Sequence, residues 1–190
     1  MVLSESDIEQ KSLLFFDKGF DPEDSGPLSS FQLMVTSPKH EKLMATALDN
    51  VGACYYLPLE RREKKYKSGR AVNHVPVFSN YIFLRNAAAH KEYLFTFNRH
   101  FRSMLDVPDA SREELWGDLC RLRQLLDSQT PIRACDELQV GNKVMIRTGL
   151  LKGMEGMIVK NRGEMRFVVN VNFLGRSVTA ELDPADMKLL

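Results

Sequence analysis

After Val140 the sequence adopts a pattern that short β-strands satisfy and helices do not. Val144 and Ile146 alternate with polar neighbours, as do Phe167, Val169 and Val171, and then Val178, Ala180 and Leu182. Gly149, Gly153, Gly156, Gly163 and Gly175 fall between these runs. Period-two alternation puts every second side chain on one face of a sheet, and glycines permit the reversals between strands. Short strands so punctuated, with hardly any helical periodicity, predict a small all-β barrel. A unit of about fifty residues has a thin core, and closing the sheet removes its edges.

The stretch upstream mixes both periods. Phe31-Gln32-Leu33-Met34-Val35 reads as a strand. Ser37-Pro38 supplies an N-cap and a proline at the first helical position, and Leu43, Met44, Ala47, Leu48 and Val51 recur at helical spacing until Gly52. Tyr55 to Leu59 and Tyr81 to Leu84 are further strand candidates. Glu60 to His74 between them is polar and basic, with a Lys67-Ser68-Gly69-Arg70 turn, as at the tip of a hairpin. Residues 88–98 suit a helix and 102–107 a short strand. Ser111 and Glu114 form a capping box for a helix with Leu115, Trp116, Leu119, Leu122 and Leu126 on one face. Strands and helices interleaved in this way predict an α+β domain, an antiparallel sheet flanked by helices.

The chain therefore reads as an N-terminal extension over 1–30, an α+β domain over 31–127, a linker over 128–138 and a β-barrel over 139–190. Asp21-Pro22-Glu23-Asp24-Ser25-Gly26-Pro27 is rich in turn formers, and Pro131 lies in the second joint. Upstream, Leu13-Leu14-Phe15-Phe16 is compatible with a mobile tail carrying a sticky patch, the preferred reading, or with a short helix packed on the next domain.

Charge and composition exclude several classes. Lys and Arg total 26 against 25 Asp and Glu, a net charge of +1, so any nucleic-acid contact must come from a local patch. The apolar clusters are shorter than the roughly 18 to 20 residues of a membrane span. The acidic start lacks the order of a signal peptide, and Cys54, Cys120 and Cys135 show no CxxC pair. A reducing cytoplasm is the expected location, with neither a membrane association nor a disulfide framework.

Gly141-Asn142-Lys143-Val144-Met145-Ile146, followed by Gly149-Leu150-Leu151-Lys152-Gly153-Met154-Glu155-Gly156, resembles a KOW motif. Phe173-Leu174-Gly175-Arg176 with Glu181-Leu182 is similar to the closing signature of NusG C-terminal domains. Upstream, the aromatic-started strand, the capped helix, Leu57-Pro58, the basic hairpin and the aromatic strand resemble the NusG N-terminal (NGN) domain. The joint resemblance, to the NusG family of transcription elongation and antitermination factors, covers about residues 31–190. Two departures, Phe31 in place of Trp and Ser79-Asn80 in place of Pro-Gly, point to a specialised paralogue. Asn80 is able to take the same backbone conformation as glycine.

The resemblance implies a monomer with an NGN domain and an SH3-like KOW barrel, which modulates pausing, termination or antitermination. It implies that RNA polymerase is gripped by Phe31, Phe78 and Tyr81, with a second contact at Ser37, Lys39 and His40. Aromatic anchors in a desolvated groove suit such a role, although strand aromatics also build cores. Phe78, in a short segment after Val75-Pro76-Val77, is expected to be exposed, and Ser37 equally suits a helix cap. Arg61, Arg62, Lys64, Lys65, Tyr66, Lys67 and Arg70 would contact non-template DNA or nascent RNA through phosphates and stacking, or form a solvated hairpin tip. Phe173, Leu174 and Arg176 match positions that recruit a partner such as Rho or a small-subunit ribosomal protein. Phe173 equally suits the end of the Phe167-Val169-Val171 stripe, which leaves Leu174 as the exposed anchor.

No catalytic constellation stands against this. His40, His74, His90 and His100 show no metal-ligand spacing, and no nucleophile elbow or phosphate loop occurs. Asp106 and Asp109 read as a turn around Pro108, and Cys54 and Cys120 as small hydrophobes. A non-enzymatic binder without cofactor or metal is expected. The competing class is an RNA- or ribosome-binding KOW protein without polymerase contact. An exposed groove at Phe31 and Phe78 would favour the polymerase, and buried aromatics beside a prominent basic hairpin would favour RNA. The glycines and β-branched alternation after Val140 argue against a helical form of the C-terminal part.

Overall fold

The structure, a computed structural model, describes residues 2–17, 31–66, 69–85, 92–94, 99–136, 141–161, 164–171 and 174–190. The chain forms two compact units, Met1–Glu113 and Glu114–Leu190.

In the first unit, β1 (Phe31–Thr36), β2 (Cys54–Tyr56), β5 (Tyr81–Arg85) and β6 (Phe101–Asp106) form an antiparallel sheet in the order β2-β5-β1-β6. Alternation divides its side chains between two faces. Met34, Ile82, Leu84 and Tyr55 share one face, where they pack with Met44, Ala45 and Leu48 of α2 (Glu41–Asn50). Phe31, Leu33, Phe83 and Tyr56 share the other.

α2 begins later than expected. Ser37, Pro38, Lys39 and His40 form a turn closed by a hydrogen bond from His40 N–H to the Ser37 carbonyl (3.2 Å), with Lys39 at φ 64°. Proline at the second position and a positive φ at the third suit a type II turn. Ser37 is therefore not a helix cap. His40 occupies that position without a side-chain cap bond.

The N-terminal segment contains a short docked helix, α1 (Glu5–Asp17), the second of the two readings its sequence offers rather than the preferred mobile tail. Ser4 Oγ accepts from the Asp7 N–H (3.2 Å) and Asp7 Oδ2 accepts from the Ser4 N–H (3.1 Å), a reciprocal cap. Ile8, Ser12 and Phe15 recur at helical spacing and are buried. Burying Ile8 and Phe15 stabilises the docked helix by roughly 1.5–3 kcal/mol each.

β3 (Leu59–Tyr66) and β4 (Gly69–Pro76) form a separate two-stranded ribbon in full register from Leu59↔Pro76 to Tyr66↔Gly69, as the polar, basic stretch predicts. Asn80, in the turn before β5, has φ 73°, the conformation expected of it in place of glycine. Of the helix expected over 88–98, residues 92–94 are helical and the rest lie outside the described residues.

α3 (Asp109–Asp127) starts two residues before Ser111, so Ser111 and Glu114 lie inside the helix and form no capping box. Its buried positions are Leu115, Asp118, Leu119, Leu122 and Leu125, a stripe rotated from the expected one so that Trp116 and Leu126 stand at its margin. Asp118 is buried together with an ion pair to Arg121. The division between the units falls within α3. Residues 132–136 of the expected linker are a strand, β7 (Ile132–Asp136), paired with β11.

The second unit carries an antiparallel sheet of β7, β8 (Asn142–Ile146), β9 (Glu155–Asn161), β10 (Glu164–Val171), β11 (Arg176–Ala180) and β12 (Met187–Leu189), in the order β12-β8-β9-β10-β11-β7. β10 and β11 are covered on both faces, since Val168, Ser177 and Thr179 are buried as well as the expected Phe167, Val169, Val178 and Ala180. Burial of Ser177 is satisfied by its bond to Asn170 Oδ1 (2.6 Å). Gly149 and Gly153 adopt φ of 74° and 87° in the β8–β9 loop. Gly156 serves otherwise: it has no positive φ and lies against Phe167.

Candidate interaction surfaces

The expected aromatic anchors do not form an open groove. Phe31 is 1 % exposed and Phe78 3 %, and only Tyr81 is half-buried. Phe78 turns inward because the Val77 N–H bonds to the Pro58 carbonyl (2.9 Å), which sets its ring edge-on to Phe83 at 6.2 Å. Phe31 is covered from α1, its ring 5.7 Å from that of Phe15, with the Arg85 guanidinium 5.8 Å from its centroid. Tyr56 meets Phe15 at 5.8 Å and Phe16 at 4.8 Å. Composition singled out Phe15 and Phe16 as sticky. Their seat was not legible, because it is built from strands far along the chain.

A second cluster forms where β1 ends, α2 begins and β6 begins. Lys39 is exposed and Ser37 is 6 % exposed, its N–H donated to the His100 carbonyl (2.8 Å). His40 and His100 stack with ring centroids 3.7 Å apart. Partial burial, then the neighbouring His40, Arg99 and Arg102, hold the His100 imidazole below its ordinary pKa. The sequence placed Ser37, Lys39 and His40 together. Arg99, His100 and Arg102 join them only through the register of β6 on β1.

The basic hairpin is less basic than its composition. Arg62 Nη2 pairs with Glu60 at 2.8 Å and Arg61 Nη2 with Glu63 at 2.8 Å, so both guanidiniums are matched by carboxylates on their own strand. Arg70 is exposed and lies opposite Lys65, with Lys64 and Tyr66 in the neighbouring registers. Lys67 lies outside the described residues. The ribbon's base is tied down by His74, whose Nδ1 lies 2.7 Å from Glu5 Oε2.

In the second unit, Leu174 is half-buried and Arg176 exposed at the start of β11, while Phe173 lies outside the described residues. Nearby in sequence to the Gly149 turn, Leu150 is 88 % exposed. A pocket of about 230 Å³ is lined by Thr148, Leu150, Leu151, Leu182 and Met187 among others.

Burial raises the Cys120 thiol pKa, opposed by Arg121, which is the character of an unreactive cysteine. Among the described residues no group of three or more His, Cys, Asp or Glu is placed to hold a metal. No helix there is long and apolar enough to cross a membrane.

No protein-family model matches the chain, and no curated protein matches it. Among solved structures, it is similar to NusG of Thermotoga maritima, at 13% identity and a TM-score of 0.48 over 84% of this chain and 96% of that one. It is also similar to the MjSpt4:Spt5 complex in conformation B, at 15% identity and a TM-score of 0.27, with the same coverage of 84% and 96%.

Proposed function

We propose that the chain is a non-enzymatic transcription elongation factor of the NusG type, which binds RNA polymerase through its first unit and a further partner through its second. The observation that carries this reading is the order of parts. An antiparallel α+β unit with a separate two-stranded hairpin precedes an antiparallel sheet whose β8–β9 loop turns on Gly149 and Gly153, glycines of the stretch that resembles a KOW motif. The polymerase contact is assigned to Phe31, Phe78 and Tyr81, with a second contact at Ser37, Lys39 and His40. Lys64, Lys65, Lys67 and Arg70 are assigned to the nucleic acid beside it. Holding the polymerase in one conformation biases pausing by shifting a population, with no bond made or broken. Leu174 and Arg176 are assigned to the second partner, Rho or a small-subunit ribosomal protein, in a cytoplasmic setting.

The burial of Phe31 and Phe78 beside a prominent ribbon favours a second reading, an RNA- or ribosome-binding protein. Binding of the purified chain to core RNA polymerase separates the two. The wild type is expected to bind, and folded Tyr81→Ala and His40→Ala chains to bind more weakly, Tyr81→Ala by roughly thirtyfold for an anchor of ~2 kcal/mol. No binding by the wild type, with RNA binding that disappears when Lys64, Lys65 and Arg70 become alanine, establishes the RNA reading instead.

A further inference from the structure

α1 is held in its seat unevenly. Its aromatic end is well packed: Phe15 and Phe16 close over Tyr56, and Phe15 over Phe31, on the sheet face opposite α2. Its polar attachments are weaker. The Glu5–Lys42, Glu5–His74 and Lys11–Asp49 pairs all have partly exposed side chains, and such pairs contribute little. The Leu57 N–H reaches Ser12 Oγ only at 3.4 Å. Beneath the helix, the Tyr55 hydroxyl is buried with no hydrogen-bond partner among the described residues, a penalty that water would relieve if the helix left. Burial, then Asp49 of α2 and Asp7 of α1, disfavours its ionisation, so the hydroxyl lies within electrostatic reach of both helices.

A surface that accepts apolar side chains from a helix, here Phe15 and Phe16, is chemically a receptor for amphipathic helices, while Ile8 of the same helix joins the core on the α2 side. We propose that α1 is an exchangeable plug, occupying in cis the Phe31–Tyr56 surface that an amphipathic helix of RNA polymerase occupies in trans. This rests on the polymerase reading above. It also accounts for Phe31, one of the expected anchors, lying buried in the free protein. Affinity is then lowered by the fraction of molecules in which α1 is closed, and loosening α1 raises it.

Two measurements on the full chain test the plug. In native-state hydrogen exchange, the α1 amides are expected to exchange at least a hundredfold faster than those of β1 and β5. Equal protection would mean that the helix leaves only on global unfolding, which overturns the proposal. In polymerase binding, Phe15→Ala is expected to bind at least tenfold more tightly than the wild type, and Glu5→Lys, which sets a cation against Lys42 and His74 without touching the core, to bind more tightly as well. Glu5→Lys keeps the test open if Phe15→Ala does not fold. Equal affinity of the wild type and the folded variants overturns the plug while leaving the polymerase reading intact. Binding by none of them overturns both.

Discussion

Gly149 and Gly156 stand close together in the sequence and look interchangeable there, but their substitution should have unequal effects. A Cβ at Gly149 meets nothing within 4 Å, so alanine suffers only the strain of φ 74°, about 1–2 kcal/mol. A Cβ at Gly156 would stand 2.5 Å from Phe167 Cζ and 2.6 Å from the Val168 carbonyl oxygen, and the backbone oxygen has no room to retreat. Gly156→Ala is therefore expected to destabilise the second unit by about 3 kcal/mol, clearly more than Gly149→Ala. Urea unfolding of the two variants checks the order, and equal midpoints would contradict it. Backbone demands of this kind were partly legible. Asn80 announced its left-handed conformation through residue type alone, whereas the Gly156–Phe167 contact joins two strands and leaves no local mark.

At the scale of elements, strands were easier to read than boundaries. β1, β8, β10 and β11 follow directly from alternation, and β5 from a short apolar run. The start of α2 was misread because Ser37-Pro38 suits a cap and a type II turn equally well, and only the bond from Ser37 N–H to His100 decides between them. α1 was misread because its stabilisation is almost wholly tertiary. The same dependence makes it sensitive to acid. Lys42 above all holds the Glu5 carboxyl below its ordinary pKa against the opposing effect of burial, with His74 adding to it, and the Ser4 hydroxyl does the same for Asp7. For carboxylates with depressed pKa, the stabilisation is present above the ordinary carboxylate range and is lost as the pH falls through the native value. Protection of the α1 amides is expected to fall below about pH 4 while β1 and β5 remain protected. Loss of all three together would show that the helix is not a separable element.

At the scale of the molecule, the proposed function divides the labour between the two units. If the first carries the polymerase and the second the further partner, substitutions in one should leave the other's affinity alone. Leu174→Ala and Arg176→Ala are expected to leave polymerase binding within twofold of wild type while weakening binding to Rho or to the ribosomal protein. A large loss of polymerase binding in either variant would contradict the division. The two-part organisation was visible in the change of pattern at Val140. The boundary was not, because the helix of residues 109–127 runs across it and β7 uses residues that read as a linker.

The seat of α1 also sets an order of events during synthesis. Leu3 bonds to Thr46, Glu5 to His74 and Phe15 to Arg85, partners that follow by 43, 69 and 70 positions. At roughly 5–20 residues per second, the helix leaves the ribosome roughly 4–14 s before its last partner does. Loops of that length are slow to close, and the pairing of β1 with β6, where Gln32 meets Asp106, closes one as long. A newly made molecule thus passes through a stage with Phe31 and Tyr56 uncovered, and whatever is nearest at that moment, its own N-terminus or another helix, has the first claim on them.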